Sequence, residues 1–195
     1  MELIYILSFI LFVHQRIVKG DASESLLGPD SPDSPPVLTC GGVDLVFLVD
    51  TSRSIWELDF QRQINFIEKV VSKFDIGPGP KQTRVGIILY AHTYWVWFYL
   101  RQYMDPKSLK AAIKRIPHKA GIRTRTEKGL KFLRTHMFRS WFGGRPNTMH
   151  VAILISDGVS QDKKKTREEA QRVRDAGIKI FTIGVGKRAD MDELR

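Results

Sequence analysis

The chain contains a single cysteine, Cys40, and no Asn-x-Ser/Thr sequon. One cysteine cannot form a disulfide framework, so any fold here depends on a packed core. The 43% hydrophobic content and 195 residues allow one domain with such a core. In an oxidising compartment an odd cysteine suggests that its partner lies downstream or in another chain. A partner in another chain would give a disulfide-linked oligomer.

Long apolar runs are also scarce. Residues 3–13 form an apolar run that is too short to span a bilayer but has the length of the hydrophobic region of a secretory signal. We therefore predict a signal peptide over residues 1–20 and no membrane span. Residues 21–40 are rich in Pro, Ser and Asp, which predicts a flexible linker before a folded domain over 41–195.

Acidic charge is scarce within that domain. Residues 1–20 sum to +1 and residues 21–40 to −4, which leaves +13 on residues 41–195. Such a domain favours acidic partners, whether glycosaminoglycan, nucleic acid or anionic lipid, and of these we expect glycosaminoglycan and no nucleic acid. A run of cations in one predicted helix start is the candidate polyanion site, although a solvated helix start would have the same composition. Its members are Lys163, Lys164, Lys165 and Arg167.

Strand and helix patterns alternate along the domain, which predicts an α/β fold with a doubly wound, mostly parallel, Rossmann-like sheet. Only three residues separate the second and third predicted strands. So short a connection predicts a hairpin, and hence one antiparallel edge strand. The predicted strands are 43–49, 84–90, 94–99, 149–155 and 179–185, and the predicted helices are 56–74, 105–116, 126–138 and 166–176.

Oxygen-bearing side chains follow two of the buried strands. Asp50, Ser52 and Ser54 come after the first strand and Asp157 after the fourth, so both groups lie at carboxyl ends, where α/β sheets bind ligands. With Thr124 they suit a hard divalent cation: Mg²⁺ is favoured, with Ca²⁺ or Mn²⁺ as alternatives. Each group alone also fits a helix-capping or tight turn, but together they indicate a metal site.

Enzymatic patterns fit poorly. A phosphatase of the aspartyl-nucleophile kind requires a second Asp where Ser52 stands, and the glycines near residue 184 lack the upstream glycine of a P-loop, since Phe181 occupies that position. The histidines show no zinc-ligand spacing, and only His92 is expected near the carboxyl edge of the sheet. We therefore expect no enzyme.

Three segments of the domain resemble the von Willebrand factor A domain. They are residues 44–54, ending in Asp-Thr-Ser-Arg-Ser; the Ile-Ser-Asp-Gly of residues 155–158; and the strand that begins Arg-Val-Gly at residue 84. The resemblance covers residues 43–195. Finer features at 74–78, 108–113 and 188–191 are similar to the matrilins and collagen-associated A domains of the extracellular matrix.

This resemblance implies a metal-ion-dependent adhesion site formed by five residues. Family members use the first Thr of a Thr-x-Thr or Thr-x-Ser pattern, which selects Thr124 over Thr126. Arg123 and Arg125 flank it and depart from the family pattern, so they would weaken metal binding if they pointed inward. The implied ligands are Asp50, Ser52, Ser54, Thr124 and Asp157.

The resemblance also implies a further strand, a C-terminal helix and a cysteine to pair with Cys40, so we expect a C-terminally incomplete domain. The expected function is that of a secreted matrix adhesion module that binds an acidic residue of a matrix protein such as collagen through the cation. The alternative is a basic module that binds glycosaminoglycan, with a vestigial metal site. Chelator would abolish the first kind of binding, and salt would weaken the second.

Overall fold

The computed structural model describes residues 42–186, 189–190 and 192–193. The predicted signal peptide, the predicted linker and Cys40 lie outside these residues, so their assignments stay predictions. Within the described ranges, none of the helices has the length and apolar character needed to cross a bilayer.

Five strands form one sheet. Their bounds are β1 Val43–Asp50, β2 Arg84–Tyr90, β3 Tyr94–Phe98, β4 Met149–Ser156 and β5 Lys179–Gly184. The order is β3-β2-β1-β4-β5, with β3 antiparallel to β2 and the remaining pairs parallel. The predicted fold class is confirmed, including the antiparallel edge strand after a three-residue connection.

The central strand β1 owes its position to its composition. All eight of its residues are buried, as expected for a near-continuous apolar run covered on both faces. It pairs with β2 on one side and β4 on the other, so the strand order reverses there. The carboxyl ends of β1 and β4 therefore flank the crevice where such sheets bind ligands.

Four α-helices cover the two faces of the sheet: α1 Glu57–Val71, α2 Pro106–Ile113, α3 Thr126–Phe132 and α4 Lys163–Asp175. Apolar residues of α1 and α2 pack on one face, and those of α3 and α4 on the other. The helix α2 begins as predicted, because the Asp105 side chain accepts a hydrogen bond from Ser108 N and Pro106 occupies the first turn.

Two helix predictions need correction. The helix predicted over 126–138 is α-helical only to Phe132 and continues as a π-helical turn over Leu133–Met137, which keeps both Leu133 and Met137 buried. The helix predicted from residue 166 begins at Lys163, because Asp162 accepts a hydrogen bond from Lys165 N and caps it.

Candidate functional site

Asp50 ends β1 with its side chain fully buried. Its Oδ1 accepts a hydrogen bond from Ser52 N at 2.8 Å, and its Oδ2 accepts one from Ser156 Oγ at 2.9 Å. The Oγ atoms of Ser52 and Ser54 lie 2.9 Å apart. Three of the five predicted ligands thus belong to one short, hydrogen-bonded turn directly beyond the sheet.

Backbone hydrogen bonds attach the Thr124 loop to this turn. Arg53 N donates to Gly121 O at 2.8 Å, and Gly121 N donates to Thr51 O at 3.1 Å. The close approach needs a glycine, since a Cβ at residue 121 would lie 2.4 Å from the Cβ of Ala91. The Thr124 loop, which follows α2, is therefore held against the loop that follows β1.

A third loop, after β4, completes the arrangement. Gln161 N donates to Thr124 O at 2.7 Å, and Asp157 Oδ1 accepts a hydrogen bond from Val159 N at 3.1 Å. Ser52, Ser54 and Thr124 line a cavity of about 350 Å³, and a neighbouring cavity of about 520 Å³ is lined by Ser54 and Asp157. The three loops therefore border two adjoining cavities, which share Ser54 and Val159 in their linings and which we together call the crevice.

The electrostatics of Asp50 are those of a carboxylate without a cation. Burial raises the pKa of Asp50 to about 6, and the nearby Asp157 charge raises it further, while hydrogen bonds from Ser52 and Ser156 oppose the shift. Among the described residues, no Lys, Arg or His forms an ion pair with either aspartate. A positive charge at this site would therefore stabilise the ionised form of Asp50.

The two arginines beside Thr124 do not form ion pairs with these aspartates. Arg125 Nε donates to Glu127 Oε1 at 2.9 Å, and Arg123 is exposed to solvent. Thr124 itself is buried, with 8% exposure. The arrangement therefore pairs one flanking cation with an acid and leaves the other at the surface.

The donor set fits a hard divalent cation. In the part of the chain that the structure describes, no three His, Cys, Asp or Glu side chains come together, so any ligand set here needs other oxygens, such as those of hydroxyl groups, backbone carbonyls or water. Two carboxylates and several hydroxyls are oxygen ligands of the kind that Mg²⁺, Ca²⁺ and Mn²⁺ accept.

Sequence reasoning missed several residues that support the site. Ser156 orients Asp50 directly, and the Tyr90 phenol is fully buried nearby, where burial and then the Asp50 charge raise its pKa well above the usual value. His92 was expected to be the only histidine near this edge, but His118 also lies there. Its ring stacks on Phe60 at 4.7 Å, and its Nε2 lies 3.4 Å from Ser52 O. The alternation of β4 is the one signal that could have identified Ser156.

The predicted polyanion residues lie at the start of α4, and part of their charge is neutralised. Lys163 Nζ lies 2.5 Å from Asp190 Oδ2 and 3.5 Å from Glu193 Oε2, and Lys165 Nζ lies 2.9 Å from Asp162 Oδ2. Lys164 and Arg167 are exposed and form no ion pair with the described residues. The assignment stays a prediction, made from residues of which half have acidic partners.

The sheet order, the switch point at β1 and the oxygen-rich crevice define a doubly wound α/β domain with a candidate cation site. The von Willebrand factor type A domain model matches residues 44–195, and the chain belongs to that family. This confirms the resemblance seen in the sequence.

The similar curated proteins come from the extracellular matrix branch. Chicken (Gallus gallus) matrilin-3 is 39% identical over 157 residues, which cover 78% of this chain and 33% of that protein. The collagen alpha-1(XII) chain of the newt Notophthalmus viridescens is 35% identical over 170 residues, which cover 86% of this chain and 18% of that protein. The chain thus spans a third or less of the length of these relatives. The relatives are secreted matrix proteins and not enzymes. The location of this chain is likewise the extracellular matrix.

Solved structures show the same fold. Proximal thread matrix protein 1 from the mussel byssus, in a structure described as having a zinc-occupied MIDAS motif, aligns with a TM-score of 0.73 at 24% identity and covers 78% of this chain and 40% of that one. The manganese-loaded TRAP protein of Plasmodium vivax aligns with a TM-score of 0.70 at 19% identity, covering 79% and 61%.

Proposed function

We propose that this domain is an adhesion module that binds a divalent cation through Asp50, Ser52, Ser54, Thr124 and Asp157. A cation held there would supply an electrophilic coordination position for a Glu or Asp carboxylate of a matrix protein such as collagen. The observation that supports this most directly is Asp50, a fully buried carboxylate with a raised pKa and no cationic partner among the described residues.

The roles of the chain's own residues follow from their bonding. Asp50 is fixed by two hydrogen bonds, which leave lone pairs on its oxygens for a further interaction. Ser52, Ser54 and Thr124 are neutral, so they can bind a cation without cancelling its charge. Asp157 is partly exposed at the edge of the crevice, where it can interact with a cation directly or through water.

The surroundings suit an acidic protein ligand. Exposed apolar side chains surround the crevice, with Trp56 78%, Ile122 85% and Val159 50% exposed. Arg53 and Arg123 are exposed in the same loops. An acidic residue flanked by apolar residues would therefore find complementary charge and apolar contact around the site.

Calorimetric titration of the full chain with Mg²⁺ and Mn²⁺ tests the proposal, with Asp157→Ala as the variant. Saturable binding that is lost in Asp157→Ala supports it, provided that circular dichroism shows both proteins folded. Asp175→Ala is the matched control, because this aspartate lies at the end of α4, away from the metal loops. Folded protein without saturable binding would contradict the proposal.

Adhesion is tested separately on immobilised collagen. Binding should disappear with EDTA at constant ionic strength and return when Mg²⁺ is restored in excess. Metal binding without collagen binding would retain the metal site and reject collagen as the partner.

A further inference from the structure

The positive charge of the domain is concentrated in its middle. Residues 76–156 contain fifteen Lys and Arg but only two acids, Asp105 and Glu127. Asp105 caps α2, and Glu127 pairs with Arg125. Residues 41–75 carry −2 and residues 157–195 carry +2, so the two outer segments cancel. The net +13 is therefore the charge of β2, β3, α2, α3 and the segments that connect them.

A chain of aromatic rings crosses one side of this region. Tyr94 stacks on Phe132 with ring centroids 4.4 Å apart, and Phe132 stacks on His136 at 4.8 Å. His136 lies 6.4 Å from Phe142, which stacks on Tyr99 at 4.6 Å. We call these five residues the aromatic ladder. It connects the edge strand β3 to α3, the π-helical turn and the short 3₁₀ helix Ser140–Phe142.

Cations flank the ladder. Lys131 is next to Phe132 in the sequence, and Arg139 precedes the 3₁₀ helix. Lys128 is one turn earlier on α3, and its Nζ donates to His92 O at 3.3 Å. The backbone of Arg101 lies beside Gly143, which follows Phe142 in the sequence, since a Cβ at Gly143 would lie 2.6 Å from Arg101 N. None of these four, which we call the basic rim, forms an ion pair within the described ranges.

Stacking affects what the ladder presents. Phe132 stacks on two rings, and each of the other four ladder residues stacks on one. Ring faces used in this way are not open to a ligand, whereas stacking does not use the ring edges, which are the positive part of an aromatic ring. Trp141, 74% exposed, extends the same surface. Residues 94–101 and 128–142, which contain the rings and the rim, include no Asp or Glu.

We infer that this surface binds sulfated polysaccharide. A sulfated chain offers repeated anions along a line, which matches a row of cations better than a single carboxylate does. Sulfated polysaccharide is the polyanion of the extracellular matrix, where the protein is located. None of the ladder or rim residues lines the cavities of the metal crevice, so this binding adds to the proposed function and does not depend on it. It also differs from the α4 site predicted from the sequence.

Heparin is the probe, and EDTA is present throughout to exclude the metal site. The rim variant of the full chain is compared with an α4 variant that loses the same four charges. Their elution from immobilised heparin in a NaCl gradient and their affinity at fixed salt are measured. The rim variant is Arg101→Gln, Lys128→Gln, Lys131→Gln and Arg139→Gln, and the α4 variant is Lys163→Gln, Lys164→Gln, Lys165→Gln and Arg167→Gln.

The rim variant should lose at least about tenfold in heparin affinity and show a shallower dependence on salt, while the α4 variant loses about threefold or less. An equal loss in both would reduce the effect to net charge and overturn the inference, as would a larger loss in α4. Should the rim variant fail to fold, Lys131→Glu with Arg139→Glu changes the charge by the same four units at two exposed residues.

Competitors test the chemical class. Heparin should compete for binding, and chemically desulfated heparin should not. Single-stranded DNA or phosphatidylserine vesicles that bound the rim as tightly as heparin at equal salt would overturn the assignment to sulfated polysaccharide.

Discussion

Asp44 and Asp50 occupy opposite ends of β1, and both are fully buried carboxylates. Arg145 binds both carboxylate oxygens of Asp44. Its backbone N donates to Oδ2 at 2.7 Å, and its Nε donates to Oδ1 at 2.8 Å. His150 approaches the same carboxylate at 3.8 Å. Among the described residues, Asp50 has only hydroxyl and amide donors. In that part of the chain, therefore, one end of the strand has its counter-charge and the other end has none.

The difference separates structure from function. Arg145 also donates to the carbonyls of Gly79, Val43 and Gln82, so it fastens the loop before β2 to the start of β1. A buried charge with such a partner is complete without a ligand. A buried carboxylate without one is costly unless it is protonated or a cation arrives, which is why we propose Asp50 as a cation ligand.

The largest expected effect comes from removing Arg145, the cationic partner of Asp44. Arg145→Met keeps the aliphatic length but removes the charge, so we expect the free energy of unfolding to fall by about 3–5 kcal/mol. Urea denaturation followed by circular dichroism measures it. Arg139→Met, at an exposed arginine nearby, should change stability by less than about 0.5 kcal/mol.

Adding Asp44→Asn should restore part of the stability lost in Arg145→Met, because the uncompensated charge is then gone. If Arg145→Met cost less than about 1 kcal/mol, Asp44 would not need its partner, and the contrast between the two ends would fail.

At Asp50 we expect the opposite effect: removal of the charge should raise the free energy of unfolding. Its pKa in the folded protein, about 6, exceeds the ordinary value of 3.8, so the native state is destabilised when Asp50 ionises. Asp50→Asn should therefore raise metal-free stability at pH 7.4 by about 1–3 kcal/mol. Saturating Mg²⁺ should stabilise the original protein, by about 2.7 kcal/mol at a hundredfold excess over Kd, and leave the variant unchanged.

Thermal unfolding with EDTA or Mg²⁺ separates the two effects. A metal-free Asp50→Asn protein that was less stable than the original would show that the hydrogen bonds of Asp50 outweigh its desolvation.

The pH dependence sharpens the same point. The contribution of Asp50 to metal-free stability is fully present below pH 3.8 and is lost as pH rises through about 6. Mg²⁺ binding has the reverse trend, since protons compete for Asp50, and affinity should fall about tenfold per pH unit below 6. Titration calorimetry between pH 5 and 7.5 measures this, and a flat profile would exclude Asp50 as a ligand.

The sequence predicted all five strands of the described sheet, because hydrophobic runs between turn residues determine them locally. The ends of helices were less predictable: the Asp162 cap extends α4 by one turn, and the π-helical turn over Leu133–Met137 has no local signal. The predicted metal loops follow two strands and so depended on local pattern and family resemblance.

The contacts across the fold were not predictable. Arg145 and Asp44 are 101 residues apart, and His118 and Ser52 are 66 apart. Nothing in the local pattern around either residue indicates its partner, because the partners meet only after the sheet has formed. The aromatic ladder is unpredictable for the same reason.

The smallest expected effect tests how Asp50 is held. Ser156 Oγ donates to Asp50 Oδ2 and accepts from Gly158 N at 3.1 Å. Ser156→Ala removes both bonds, so we expect Mg²⁺ affinity to fall about tenfold, as for other residues that orient metal ligands. Unfolding free energy should change by only about 1 kcal/mol.

Ser160→Ala is the matched control, since the Ser160 hydroxyl lies in an adjacent loop and has no hydrogen-bond partner among the described residues. Its Mg²⁺ affinity should equal that of the original protein in the same calorimetric titration. An equal loss in both variants would indicate that Ser160 is itself a ligand. A loss in neither would show that Asp50 keeps its position without Ser156, and that the turn at Ser52 alone is enough to orient it.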